Sequence, residues 1–118
     1  MARKHHDLKV WQQAMSLVTM IYKITSSFPN EEKFGLTSQM RRAAVSVPSN
    51  IAEGAGRTGA REFCRFLSVA RGSLSELETQ VMIAERLGYM EPDSHIENNM
   101  AELFAMLAGL LRANQKVI

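Results

Sequence analysis

Three histidines, one cysteine and a run of arginines at four-residue spacing are the side chains of this sequence best suited to chemistry. His5 and His6 are adjacent near the N-terminus, and His95 stands alone ahead of the last apolar segment. Adjacent histidines hold a metal weakly, and no further ligand follows at the helical spacing of a zinc or di-iron site. Cys64 sits beside Phe63 in an apolar run, where a small packed hydrophobe is the expected role. Gly54-Ala55-Gly56 lacks the upstream strand of a phosphate loop and reads as a helix terminator. No nucleophile, base and orienting group share a pattern. The expectation is a protein that is no enzyme and carries neither cofactor nor metal.

Arg57, Arg61 and Arg65 recur every four residues, which places them on one face of a helix. They fall in its first two turns, where the macrodipole disfavours cations. Each like-charged pair at that spacing costs roughly 0.2–0.5 kcal/mol, a cost that Glu62 relieves in part. Such a cost points to a partner for the arginines. Phosphates of RNA or DNA fit, as do carboxylates of the same or a neighbouring subunit; a solvated face is the plain alternative. Arg41 and Arg42 extend the patch across the preceding helix, with one of the two available as an internal ion-pair partner. Gln39, Arg42, Ser46, Asn50 and Glu53 form a polar stripe at spacings of three and four. It is either a recognition face or a buried hydrogen-bond network that fixes helix register; the small neighbours Ala43 and Ser49 favour the network.

The chain has 118 residues, of which 46% are hydrophobic, a length and composition that suit one domain with a core of its own. A single cysteine excludes a disulfide framework. No apolar run is long enough for a membrane span, and the charged start lacks the apolar region of a secretory signal. A soluble, cytoplasmic protein is expected. The net charge of +2 hides an asymmetry. Residues 33–71 carry seven basic side chains against two acidic ones, and residues 72–118 carry three against seven. A basic middle and an acidic end mark an anion-binding face, or two regions that pair with each other.

Helices must position all of these residues, because no segment alternates with period two for long enough to argue a strand. Asp7 is the expected N-cap of a first helix that reaches about Ser27. Val10, Ala14, Leu17, Ile21, Ile24 and Phe28 make its seam, and Leu8, Trp11, Met15, Val18 and Tyr22 a second stripe beside it. Two stripes exceed what one intramolecular core needs, which points to self-association. Phe28-Pro29 ends the helix, and Gly35 is free to take positive φ in the turn that follows. The second helix runs from about Leu36 to Glu53 with a kink at Pro48. Thr58 is the expected N-cap of the third, which reaches Leu87 before a Gly88 cap. Its seam is Phe63, Leu67, Ala70, Leu74, Leu77, Val81 and Ala84, with Phe66, Val69, Gly72 and Ser73 broadening the buried arc. Ser94 and Glu97 form a capping box for the fourth, whose seam is Ile96, Met100, Leu103, Leu107 and Leu110, with Phe104 and Leu111 alongside. The fold expected is all-α, an up-and-down four-helix bundle in one domain over residues 1–118, ordered from about 7 to 115.

The middle of the chain carries more than periodicity. Phe28-Pro29, Glu32-Lys33-Phe34-Gly35-Leu36-Thr37, Gln39-Met40-Arg41-Arg42-Ala43-Ala44 and Ser46-Val47-Pro48-Ser49-Asn50-Ile51-Ala52-Glu53-Gly54 follow in one order. Ala70-Arg71-Gly72-Ser73, Glu76, Glu78-Thr79-Gln80 and Leu87-Gly88-Tyr89 continue it, and Asp7-Leu8-Lys9-Val10-Trp11 opens it. Together these segments, spanning about residues 7 to 111, resemble a bacterial four-helix-bundle family encoded within intervening sequences of large-subunit ribosomal RNA genes. The accessory variability protein of diversity-generating retroelements is similar in fold. The resemblance implies a homo-oligomer, a pentamer, with nucleic acid as a plausible partner and no membrane. A protein-interaction scaffold, with its basic face in salt bridges to subunits or to another protein, is the alternative.

Overall fold

Val10, Ala14, Leu17 and Ile21 are all buried along one side of the first long helix, α1 (Lys9–Thr25), as their alternating spacing requires. The computed structural model describes residues 3–118. Three more helices follow: α2 (Leu36–Ala55), α3 (Ala60–Arg86) and α4 (Ser94–Gln115). Two single 3-10 turns, Lys4–Asp7 and Asn30–Glu32, precede α1 and α2. Short connections make consecutive helices antiparallel neighbours. α2 and α3 share the most extensive contact; α1 lies against α2 and α4, and α3 against α4, while the diagonal pairs stay apart. This is an up-and-down four-helix bundle with extents of 46 × 28 × 20 Å.

Leu17, Ile21, Met40, Ile51, Leu67, Leu74, Leu77, Leu103 and Leu107 have no solvent contact. Truncating one such side chain to alanine typically costs about 2–5 kcal/mol. The seams hold with local exceptions. Leu111 rather than Leu110 is fully buried on α4, and Val69 and Gly72 are exposed, so the buried arc of α3 is narrower than the sequence suggested.

The helix ends differ more. Asp7 does not cap α1; it closes the 3-10 turn, and Leu8 takes the cap position without a side-chain bond. The reason is packing: the turn folds back so that His5 and His6 each lie 5.1 Å from the Trp11 ring. Gln12 Nε2 donates to the His6 carbonyl at 2.8 Å, so the tail is structured from Lys4 rather than frayed. Of the expected disordered start, Met1 and Ala2 lie outside the described residues. At the other end α1 stops two residues short of Ser27, where the Ser26 and Ser27 hydroxyls donate to carbonyls of the last turn.

Gly35 keeps a negative φ of −108°; instead, Glu32 Oε1 accepts from Leu36 N–H at 3.0 Å and caps α2. The helix runs unbroken through a buried Pro48. The helix stops within Gly54-Ala55-Gly56 as expected, at Ala55 with Gly56 as its C-cap; Gly54 lies in the last turn, where a Cβ would stand 2.8 Å from Phe66 Cβ and 3.1 Å from Phe63 Cδ1. Only glycine lets α2 and α3 approach so closely. Gly59, with φ of 89°, occupies the N-cap position of α3 instead of Thr58. Gly88, with φ of 77°, ends α3 as expected, with Tyr89 N–H donating to Ala84 and Gly88 N–H to Glu85. Asp93, one residue before the expected capping box, caps α4 by accepting from Ile96 N–H at 3.0 Å.

Candidate nucleic-acid interface

The joint between α2 and α3 holds the first arginines. Arg57 precedes α3 and lies in the connecting turn, so only Arg61 and Arg65 share a helical face. Arg57 Nε donates to Glu53 Oε2 at 3.1 Å from the turn back to the last turns of α2. Arg65 donates to both Glu62 oxygens, at 2.9 and 3.3 Å. The two guanidinium groups flank one ring, 5.2 and 4.4 Å from the centroid of Phe66. The Arg65 bond holds the Glu62 carboxyl below the usual carboxylate range, and the same bond raises the Arg65 guanidinium. Arg57 and Arg65 therefore have local partners that spacing alone did not reveal. Arg61 has no ion pair among the described residues. Exposed pairs of this kind contribute little in water, so a phosphate can take over either guanidinium.

Arg41 belongs elsewhere. Its Nε donates to Thr25 Oγ1 at 2.8 Å and its Nη2 to the Tyr22 carbonyl at 3.3 Å, with the guanidinium 4.6 Å from the Tyr22 ring. It ties α2 to the C-terminal turn of α1, where a cation suits the dipole. Arg42, one residue on, points into a groove between α2 and α3 lined by Gln39, Ala43, Ser46, Ser73 and Glu76. The polar stripe thus divides. Ser46 bonds Ser73 at 2.8 Å and is held by Asn50, which makes those two a structural network, while Gln39 and Arg42 face solvent and Glu53 pairs with Arg57.

Antiparallel topology regroups the charges. One half of the bundle contains the starts of α1 and α3 and the ends of α2 and α4; residues 3–17, 46–73 and 105–118 carry nine basic side chains against three acidic. Residues 18–45 and 74–104, in the other half, carry five against nine. Lys4, Lys9, Arg71, Arg112 and Lys116 join Arg57, Arg61 and Arg65 in the basic half. Lys4, Leu8, Arg57, Gly59, Phe63 and Asn114 line a common cavity of about 270 Å³ there, which confirms that these chain-distant segments meet. Arg41 and Arg42 fall in the acidic half. The sequence reading missed Lys4, Lys9, Arg112 and Lys116, and only the helix order could have found them.

A family model described as the 23S rRNA-intervening sequence protein matches residues 6–109 of this chain. The chain belongs to the 23S rRNA-intervening sequence protein family. No curated protein matches it. Among the described residues of this member of the 23S rRNA-intervening sequence protein family, no helix is long and apolar enough to cross a membrane. Among its described residues, no three His, Cys, Asp or Glu side chains stand together to hold a metal ion. Cys64 is buried with the core.

A second surface lies on the other side of α2. Trp11, Met15 and Val18 of α1 and Val45, Pro48, Ser49 and Ala52 of α2 line a shallow apolar groove of about 300 Å³. Met15 and Val45 are exposed in it, and so is Tyr22 farther along α1, while Leu8, Trp11 and Val18 are half-buried against the core, so the second stripe of α1 is divided between core and surface.

Proposed function

We propose that this protein is a non-enzymatic homo-oligomer, working in the cytoplasm, that binds RNA or DNA phosphates through the basic half of each bundle. The observation that carries the reading is where the cations sit. Lys9 opens α1 and Arg61 stands in the first turn of α3, positions where the macrodipole opposes them and where neither has an ion pair among the described residues; Arg57, in the turn before α3, lies beside them with its Glu53 pair exposed. The exposed part of that stripe, Met15 and Tyr22, together with Val45 of α2, supports self-association, with five copies the number that the family resemblance implies. Assembly would repeat the basic half and turn weak contacts into avidity.

A scaffold reading, in which the arginines bridge to carboxylates of other subunits or proteins, draws on the pairs Arg57–Glu53 and Arg65–Glu62. One experiment separates the two. Binding of a labelled oligonucleotide is followed against salt for the wild type and the variant Arg57→Gln/Arg61→Gln/Arg65→Gln, with mass checked by light scattering. Each phosphate contact contributes ~0.7–0.9 to the slope of log affinity against log salt, so the variant should flatten it by roughly two per engaged subunit. An unchanged slope and affinity, or no wild-type binding at low salt, returns the arginines to salt bridges.

A further inference from the structure

The groove on α2 and α3 that holds Arg42 serves none of the roles above. It measures about 400 Å³, with Arg42 and Gln39 on the α2 side, Glu76 on α3, and Ala43, Ser46 and Ser73 between them. A cation and an anion line one groove, yet neither forms an ion pair among the described residues. We infer that this groove is a base-reading subsite and that its ligand is an unpaired guanine. The inference rests on the nucleic-acid reading and gives it a specificity that phosphates lack.

The argument is one of donors and acceptors. Arg42 offers only donors and Glu76, ionised, only acceptors. A phosphate placed here would meet the Glu76 carboxylate, and a simple cation would meet Arg42. The fitting occupant is uncharged along its edge, with acceptors on one side and donors on the other. Guanine presents O6 and N7, the acceptor pair that arginine takes in bidentate fashion. Its N1–H and N2–H donors lie next to O6 along the same rim and suit a carboxylate. Uracil has a single N–H donor on its pairing edge, and adenine has no two adjacent donor nitrogens.

The groove also holds a spare proton. Ser46 and Ser73 have two hydroxyl protons and use one between them at 2.8 Å, while Asn50 Nδ2 donates to Ser46 Oγ at 2.9 Å and so consumes none. One hydroxyl proton of the pair therefore stays free for an acceptor on the ligand. Asn50 also donates to the Ser46 carbonyl at 2.8 Å, so this floor is fixed on two helices before anything binds. No aromatic side chain lines the groove, so recognition rests on hydrogen bonds to the base edge and requires a base free of pairing.

The test uses the full chain, amide-resolved NMR and two nucleotides that differ only in base, 5′-GMP and 5′-UMP at millimolar concentration. GMP should shift the amides of Ala43, Ser46 and Ser73, and UMP should leave them in place. Glu76→Gln and Arg42→Gln, both exposed substitutions, should each weaken GMP roughly tenfold while the spectrum stays folded. In the binding assay, one guanosine placed in a uridine oligomer should tighten wild-type binding several-fold at an unchanged salt slope, and Glu76→Gln should remove that gain. Equal shifts from GMP and UMP, GMP shifts confined to the basic half, or a guanosine preference that survives Glu76→Gln would each overturn the inference. Oligomers that fail to bind at all while GMP still shifts Ser46 and Ser73 would sink the phosphate reading and leave this one standing.

Discussion

The two halves of the bundle use their charges for different purposes. In the acidic half, carboxylates work on the fold: Glu32 caps α2 and accepts from the Tyr89 hydroxyl at 2.9 Å, and Asp93 caps α4. Both stand at helix N-termini, where negative charge is favoured twice over, by hydrogen bonding and by the dipole. In the basic half, α1 and α3 also begin, yet neither start has a side-chain cap. Cations gather there instead. Arg112 and Lys116 at the end of α4, and Arg57 just past the end of α2, suit the dipole; Lys9 and Arg61 do not. Charges that stabilise helices explain themselves, and charges that oppose them call for a partner outside the bundle.

Three substitutions sharpen this contrast. Gly54→Val, where α3 leaves no room for a Cβ on α2, should cost about 3 kcal/mol in chemical denaturation through overpacking against Phe63 and Phe66. A neutral result would mean that the helices separate there easily, and that basic-half geometry is not fixed. Arg41→Gln should cost about 1–2 kcal/mol, since it removes charge-assisted bonds to Thr25 and Tyr22. It should leave the salt dependence of oligonucleotide binding as it was; a flatter slope would return Arg41 to the basic surface.

The smallest effect concerns acid. The Leu36 amide, and after it the Tyr89 hydroxyl, hold the Glu32 carboxyl below its ordinary 4.5. A depressed carboxyl contributes stability that is complete above its unfolded value and is lost as pH falls through the folded one. The melting temperature of the wild type should therefore drop more between pH 6 and pH 3 than that of Glu32→Gln, whose amide still accepts from Leu36 without titrating. Parallel curves would remove Glu32 from the acid response.

The bundle was legible in the sequence because each seam repeats over several turns, and errors at single positions such as Leu110 or Val69 leave its direction intact. Caps were less legible. Asp93 and Ser94 are adjacent and equally suited to the role, and a one-residue shift in where the helix begins decides between them. Gly54-Ala55-Gly56 was legible as the stop of α2, but the packing demand on Gly54 was not, because it comes from Phe63 and Phe66, on another helix. The basic surface was half legible. Arg57, Arg61 and Arg65 were found by spacing, but Lys4 and Lys116 lie at opposite ends of the chain and meet only through topology. Arg41 and Arg42 part company because neighbours in sequence point about 100° apart on a helix: Arg41 takes the internal role the sequence allowed for one of the two, and Arg42 lines the groove between α2 and α3.

The bundle is 46 Å long and 20 Å across its narrowest side, with opposite charge at its two ends. Such a body behaves in solution as an oriented dipole. Near any polyanion it experiences a torque as well as an attraction, and the torque acts only within about a Debye length, ~8 Å at physiological salt. Rotation into alignment therefore happens in the final approach, after diffusion has brought the two together. Low salt lengthens that zone and raises the share of encounters that arrive basic end first, so orientation enters the rate of capture before any contact is made.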